Sequence, residues 1–264
     1  MPPRGPLLRR TLLLARAALP APQRGPTASA LAHARSDAPQ SSPSHKALLV
    51  DAAGTLVSPS EPVAAVYGAF AAKHGVRLSE GEILSRFRGA FAKRKAVDAW
   101  SEPTLRYVGD GRAFWRRVVA QATGCDSEAL FDEVYEHYES PEAWKVTPGA
   151  MAALRRLRSS GVKVVVVSNF DTRLRPLLMG MGLGEVLDEV VVSAEVGAEK
   201  PNPVIFETAL EAAGVAPGEA VHVGDDRRND LWGARDAGLE AWLWGEDVQS
   251  FEEVADKILG CGAP

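Results

Sequence analysis

Five stretches of the chain are nearly continuous apolar runs of strand length. They are Lys-Ala-Leu-Leu-Val-Asp at 46–51, Val-Lys-Val-Val-Val-Val-Ser at 162–168, and the runs at 189–193, 220–224 and 240–244. Runs without polar alternation suit parallel strands covered on both faces. Helical periodicity lies between the later ones. Thr147 reads as a cap with Pro148 at the first helical position, Leu154 and Leu157 on the inner face, and Gly161 as terminator. Asn202 and Pro203 open another helix, with Ile205, Phe206, Ala209 and Leu210 on one face and Gly214 past its end. Strands alternating with helices predict a doubly wound parallel α/β sheet.

The first crossover is too long. A parallel connection needs about a dozen residues, and 111 separate Asp51 from Val162. The excess reads as an insert, helical throughout. Ser60 is expected to cap a helix carrying Val63, Val66, Tyr67 and Phe70. Ser79-x-x-Glu82 forms a capping box ahead of Ile83, Phe87 and Phe91. Phe114, Trp115, Val118 and Val119 mark a third helix ending near Gly124. Leu130, Phe131, Val134, Tyr135 and Tyr138 mark a fourth. These aromatics read as core packing, not as a cofactor box. The expected organisation is 1–45 outside the fold, 46–58 and 147–264 as the α/β core, and 59–146 as the helical insert.

Charge changes this picture at one end. Residues 1–46 hold six arginines and Lys46 against the single acid Asp37, a net +6, so the remainder of the chain carries −10. An acidic body argues against nucleic-acid binding. The Arg-, Ala-, Ser- and Pro-rich start has the composition of an organellar transit peptide. Arg16 breaks its apolar stretch, which a secretory signal would keep intact. Its Ser, Ala and Pro content after Leu19 points to the chloroplast, with the mitochondrion as alternative. No apolar run approaches the roughly 18 residues of a membrane span. Cys125 and Cys261 lack partners at zinc-ligand spacing and are expected to be reduced.

Chemistry concentrates at the predicted strand ends, where open α/β sheets bind ligands. Asp51 ends the first strand, Ser168-Asn169 the second, and Asp225 the fourth, with Asp226 beside it and Asp230 one helical turn on. Lys200 precedes the Asn202-Pro203 helix. Phosphoryl transfer is mostly positioning and charge neutralisation, and these residues supply it. Asp51 can attack phosphorus. Carboxylates from Asp51, Asp225 and Asp230 suit Mg²⁺. Ser168 and the Asn169 amide can donate to phosphate oxygens, Lys200 can neutralise charge, and Gly54 eases an amide-lined turn that could hold the anion.

The segments Asp-Ala-Ala-Gly-Thr-Leu at 51–56, Val-Ser-Asn-Phe-Asp at 167–171, Glu-Lys-Pro-Asn-Pro at 199–203 and Val-Gly-Asp-Asp-Arg-Arg-Asn-Asp at 223–230 resemble the four ordered motifs of the haloacid dehalogenase-like hydrolase superfamily. The Ser-Asn-Phe-Asp-Thr-Arg stretch is similar to its domain-containing protein 3 branch. The resemblance implies a Rossmann-like core with a helical cap inserted after the first motif. It implies Asp51 as nucleophile, Ser168 and Lys200 as phosphate partners, and Asp225 with Asp230 on the Mg²⁺ side, joined by the Ala53 carbonyl. Phosphatases of this superfamily usually carry a second Asp where this chain has Ala53. Three readings follow: a slow or specialised Mg²⁺-dependent phosphatase of a small phosphorylated molecule; a non-enzymatic phosphate-binding or scaffold protein; and a phosphonoacetaldehyde hydrolase-like carbon–phosphorus hydrolase using Lys93 or Lys95. Haloacid dehalogenases also lack this Asp, but their chemistry does not use the metal that Gly224-Asp225-Asp226 suggests. Asp171 stands near the second motif as an acid or as a cap for the helix near Arg173. Oligomeric state is left open.

Overall fold

A computed structural model describes residues 42–92 and 105–261, leaving out the side chains of Phe91 and Ala92. The targeting reading of 1–45 lies almost wholly outside the described residues, as do Lys93 and Lys95. Ordered contacts begin slightly ahead of the boundary expected at 46. The Ser44 amide donates to the Ile258 carbonyl at 2.7 Å, and His45 is buried with Nε2 3.1 Å from Glu240.

The five apolar runs become five parallel strands: β1 (Ala47–Val50), β4 (Lys163–Ser168), β5 (Glu189–Val192), β6 (Ala220–Gly224) and β7 (Glu240–Leu243). Their order is β5-β4-β1-β6-β7, so the chain reverses its direction of winding beside β1. Val50 is level with Val166 on one side and Val223 on the other. That register brings the carboxyl ends of the three central strands together. Alternate side chains point to opposite faces, and both faces are covered. Leu48, Val50, Val164 and Val166 pack with Leu154, Leu157, Leu174, Phe251 and Ile258. Ala47, Leu49, Val165 and Val167 pack with Ile205, Phe206, Ala209 and Leu210.

The first face is served by α5 (Ala150–Ser159), α6 (Leu174–Gly180) and α10 (Phe251–Leu259), the second by α8 (Pro203–Ala213) and the short α9 (Gly233–Asp236). A one-turn helix, α7 (Ser193–Val196), follows β5. Asn202 caps α8 as expected, its side chain accepting from the Val204 amide. Thr147 does not cap α5. Its hydroxyl donates to the Thr55 carbonyl at 2.6 Å, and Gly149 takes the cap position at φ +81°.

The insert carries α1 (Val63–Lys73), α2 (Glu80–Ala92), α3 (Arg112–Thr123) and α4 (Glu128–Glu139) around Tyr67, Ile83, Val119, Leu130 and Phe131. The Ser79–Glu82 box is reciprocal at 2.9 and 3.3 Å. Ser60 is no cap: its hydroxyl donates to the Glu142 carbonyl, and Pro62 precedes α1. The insert is also not helical throughout. Its two ends pair as an antiparallel ribbon, β2 (Val57–Pro59) with β3 (Trp144–Val146), which sets entry and exit side by side. No described helix is long and apolar enough to cross a membrane. Cys125 is half-buried and Cys261 exposed, both as free thiols.

Candidate active site

The turn after β1 places the first group. Asp51 follows Val50 directly, and its carbonyl and that of Ala52 accept from the Leu56 amide as the chain folds back. Gly54 sits at φ +99°, a conformation that L side chains rarely adopt, and a Cβ there would lie 2.6 Å from Asp225 Oδ2. The glycine thus lets the first and fourth motifs touch. Gly224 makes room within the fourth motif, where a Cβ would meet the Asp230 carboxyl carbon at 2.2 Å.

Lys200 joins the carboxylates. It is 4% exposed, and its Nζ donates to Asp51 Oδ1 and Asp230 Oδ1 at 2.6 Å each and to the Val167 carbonyl at 2.8 Å. An ammonium has three donors, and all three are used. Asp230 enters on a π-helical turn, Arg227–Trp232, a geometry found mostly at functional sites. Its other oxygen accepts from the Asp226 amide at 3.0 Å. His222, wholly buried in β6, brings Nε2 within 2.9 Å of Asp230 Oδ1. Ligand oxygens of Asp51, Asp225 and Asp230 lie within 4.8 Å of one another.

These contacts sort the charges. Burial works against the charged form of Asp230, but Lys200 and His222 hold its carboxyl well below the usual range. Burial pushes Asp51 up, Lys200 opposes, and Asp230 and Asp225 add to the rise, leaving it pushed up to about 6. Desolvation alone would lower Lys200; Asp230 and Asp51 outweigh it and hold the ammonium well above its ordinary value. Asp225 is raised by desolvation and by Asp230. Asp230 makes more hydrogen bonds than Asp51, so a proton taken up by this pair goes to Asp51.

Ser168 ends β4, buried at 2% exposure. The Asn169 side chain is committed to the Lys200 backbone, donating to its carbonyl at 3.0 Å and accepting from its amide at 2.7 Å. It is therefore a loop anchor, which leaves phosphate contact at that position to the main chain. Ala53 is exposed and carries no acid. Asp171 does not stand in for one. Its carboxylate takes Arg173 Nε and Nη2 at 2.9 and 2.8 Å, the Arg173 amide at 3.1 Å, and the indole N–H of Trp115 at 2.8 Å.

Two features went unread in the sequence. One is His222, although a histidine inside the fully buried Ala-Val-His-Val-Gly strand is itself a signal of a polar partner. The other is a cavity of about 200 Å³ that reaches from Ala53 and Asn169 up into the insert. Tyr67, Phe87, Trp115, Phe131, Tyr135 and Tyr138 line it. Packing accounts for only part of the role of these aromatics.

Residues 45–238 match the family model described as haloacid dehalogenase-like hydrolase. Haloacid dehalogenase-like hydrolase domain-containing protein 3 of Mus musculus is 36% identical over 200 residues, covering 73% of this chain and 79% of that one. Among solved structures, a HAD phosphatase from Thermococcus onnurineus superposes with TM-score 0.55 at 28% identity, over 79% of this chain and 90% of its own. An L-2-haloacid dehalogenase from Xanthobacter autotrophicus gives 0.58 at 23% identity, over 83% and 85%, a likeness of fold.

Proposed function

The chain belongs to the haloacid dehalogenase-like hydrolase family, and from that premise we propose that it is a Mg²⁺-dependent phosphatase acting through an aspartyl-phosphate at Asp51 on small phosphorylated molecules with good leaving groups. One observation carries the reading: Lys200 Nζ bridges Asp51 and Asp230 at 2.6 Å each, with an Asp225 oxygen in the same cluster.

The residues fit a hard divalent cation. Three carboxylates against one ammonium leave excess negative charge, and oxygen ligands are what Mg²⁺ takes. Asp225 and Asp51 would hold it, with the Ala53 carbonyl; Asp230 is largely engaged by Lys200, His222 and the Asp226 amide, so it orients as well as binds. When bound, the ion neutralises charge on the phosphoryl oxygens and favours ionised Asp51.

The chain's own groups do the rest. Lys200 occupies Asp51 Oδ1, which leaves Oδ2 to attack phosphorus. Ser168 at the end of β4 donates to a phosphoryl oxygen, and of the turn's amides those of Ala52 and Ala53 are left for the same anion, since Gly54 and Thr55 donate to the Val57 and Ala52 carbonyls. At position 53 a methyl group stands where an acid would protonate the leaving oxygen. Departure is therefore unassisted, which suits acyl or aryl leaving groups.

The test is hydrolysis of acetyl phosphate with and without Mg²⁺. Turnover should vanish in Asp51→Asn and on chelation, and Asp225→Asn should weaken Mg²⁺ binding by calorimetry. Turnover that survives Asp51→Asn would remove the proposal.

A further inference from the structure

The cavity above Ala53 has a chemistry that narrows the leaving group. Tyr107 stacks on Trp115 and on Phe170 with ring centroids 6.0 and 6.1 Å apart and interplanar angles of 29° and 22°. Tyr67, Tyr135 and Tyr138 complete the wall. Together these rings make the wall almost wholly apolar, which favours an apolar guest. The volume, about 200 Å³, is that of one substituted ring and not of a nucleotide.

Polar groups in this wall are few. The Asn169 side chain is spent on Lys200. Arg173 lies over the Tyr135 ring, its guanidinium carbon 3.8 Å from the centroid, and is paired through Nε and Nη2 with Asp171. Its Nη1 is buried with no hydrogen-bond partner among the described residues, and so is the Tyr138 hydroxyl. A buried donor without a partner is costly. Both atoms are wholly covered, so neither opens onto the cavity that their residues line. Asp171 already balances the Arg173 charge, so nothing in this wall calls for an anionic group on the guest.

Resting on the phosphatase reading above, we propose that the substrate is a small aryl phosphate whose single aromatic ring occupies this cavity while its phosphoryl group meets Asp51. The missing acid fits this class. A phenolate has a conjugate-acid pKa near ~10, against ~15.7 for water, the measure of an alkoxide-like leaving group. In the reaction an Asp51 oxygen forms a bond to phosphorus as the phosphorus–aryl oxygen bond breaks. The electron pair leaves on the phenolate, which takes its proton from solvent. Water then attacks the acyl-phosphate, releases inorganic phosphate and a proton, and restores Asp51.

Calorimetry with non-hydrolysable phosphonates tests the ring without relying on turnover. On the full chain with Mg²⁺, phenylphosphonate should bind about thirtyfold more tightly than methylphosphonate, from burial of one ring. Phenyl phosphate should be hydrolysed at least about tenfold faster than cyclohexyl phosphate, whose alkoxide must leave without an acid. Val119→Phe, which fills the cavity from α3, should close most of the phenyl–methyl gap. Equal affinity for phenyl and methyl, no binding of either, or cyclohexyl phosphate hydrolysed as fast as phenyl phosphate overturns the proposal. A ring preference in a protein that hydrolyses no phosphate would instead remove the phosphatase reading alone. Turnover of acetyl phosphate without ring preference would remove this proposal alone.

Discussion

Ala53 occupies the turn after β1, two residues beyond Asp51, exposed and at the foot of the cavity. A methyl group there cannot move a proton, and among the described residues Asp171 does not substitute, because it is held by Arg173 and Trp115. Acid–base groups typically contribute about 10²–10⁴-fold. Ala53→Asp is therefore expected to raise alkyl-phosphate hydrolysis by about a hundredfold, at the low end of that range, and acetyl-phosphate hydrolysis far less, since a carboxylate leaves unaided. Steady-state rates on glycerol phosphate and acetyl phosphate check it, with Asp51→Asn in both backgrounds as control. A gain equal on both substrates would mean that the new acid acts otherwise than on the leaving group.

At the scale of elements, one carboxylate ties three of them. Asp188, ahead of β5, accepts from the Val164 amide at 2.9 Å and from Arg158 of α5 and Lys163 of β4 at 3.2 Å, while its own amide donates to the Val164 carbonyl. Desolvation pushes the carboxyl up; the Val164 amide, Arg158 and Lys163 outweigh it, so it sits below the usual carboxylate range. A lowered pKa stabilises the fold above the unfolded value near ~3.9, and the contribution is lost as pH falls through the lower folded value. Asp188→Ala should cost about 1–2 kcal/mol at neutral pH. The gap in Tm between variant and wild type should narrow as the pH drops below about 4. A gap that stays constant from neutral to acid pH would assign the effect to packing.

Across the whole described fold, one clasp between core and insert is built around Asp171. Trp115 on α3 donates to Asp171 on the core, the Thr172 amide donates to the Gly109 carbonyl at 2.9 Å, and a Cβ on Gly111 would lie 2.7 Å from Asp171 Oδ2. The Tyr135 hydroxyl closes the same loop by donating to the Asp110 carbonyl at 2.7 Å. The clasp encloses the aromatic cavity over the strand ends. Trp115→Phe keeps the ring and removes the indole donor. It should raise amide exchange in residues 107–115 by roughly three- to tenfold, the worth of one hydrogen bond, and leave β1 and β4 protected. Exchange spread evenly over the sheet would show global destabilisation instead of clasp opening.

Much of this protein was legible in the linear chain because the signals were local. Continuous Val and Leu runs specify strands buried on both faces, and the five runs became the five parallel strands. The excess length after Asp51 announced the insert, and Ser79–Glu82 and Asn202 announced their helix starts. The four motifs named Asp51, Ser168, Lys200, Asp225 and Asp230 as one constellation, since parallel topology sends successive strand ends to one edge. Other features depended on partners far along the chain. Thr147 and Ser60 looked like caps, yet their hydroxyls meet carbonyls of Thr55 and Glu142, across the ribbon that closes the insert. The Asn169 side chain looked free, yet the Lys200 backbone, 31 residues on, takes it and leaves the main-chain amide as the donor at that position. The ion-pair pattern that ionises Asp230 and raises Asp51 depends on which oxygen each donor reaches. The cavity was hidden for the same reason. An aromatic at helical spacing looks identical whether it packs on a neighbour or walls a space, and only the way α1, α3 and α4 meet the strand ends decides between them.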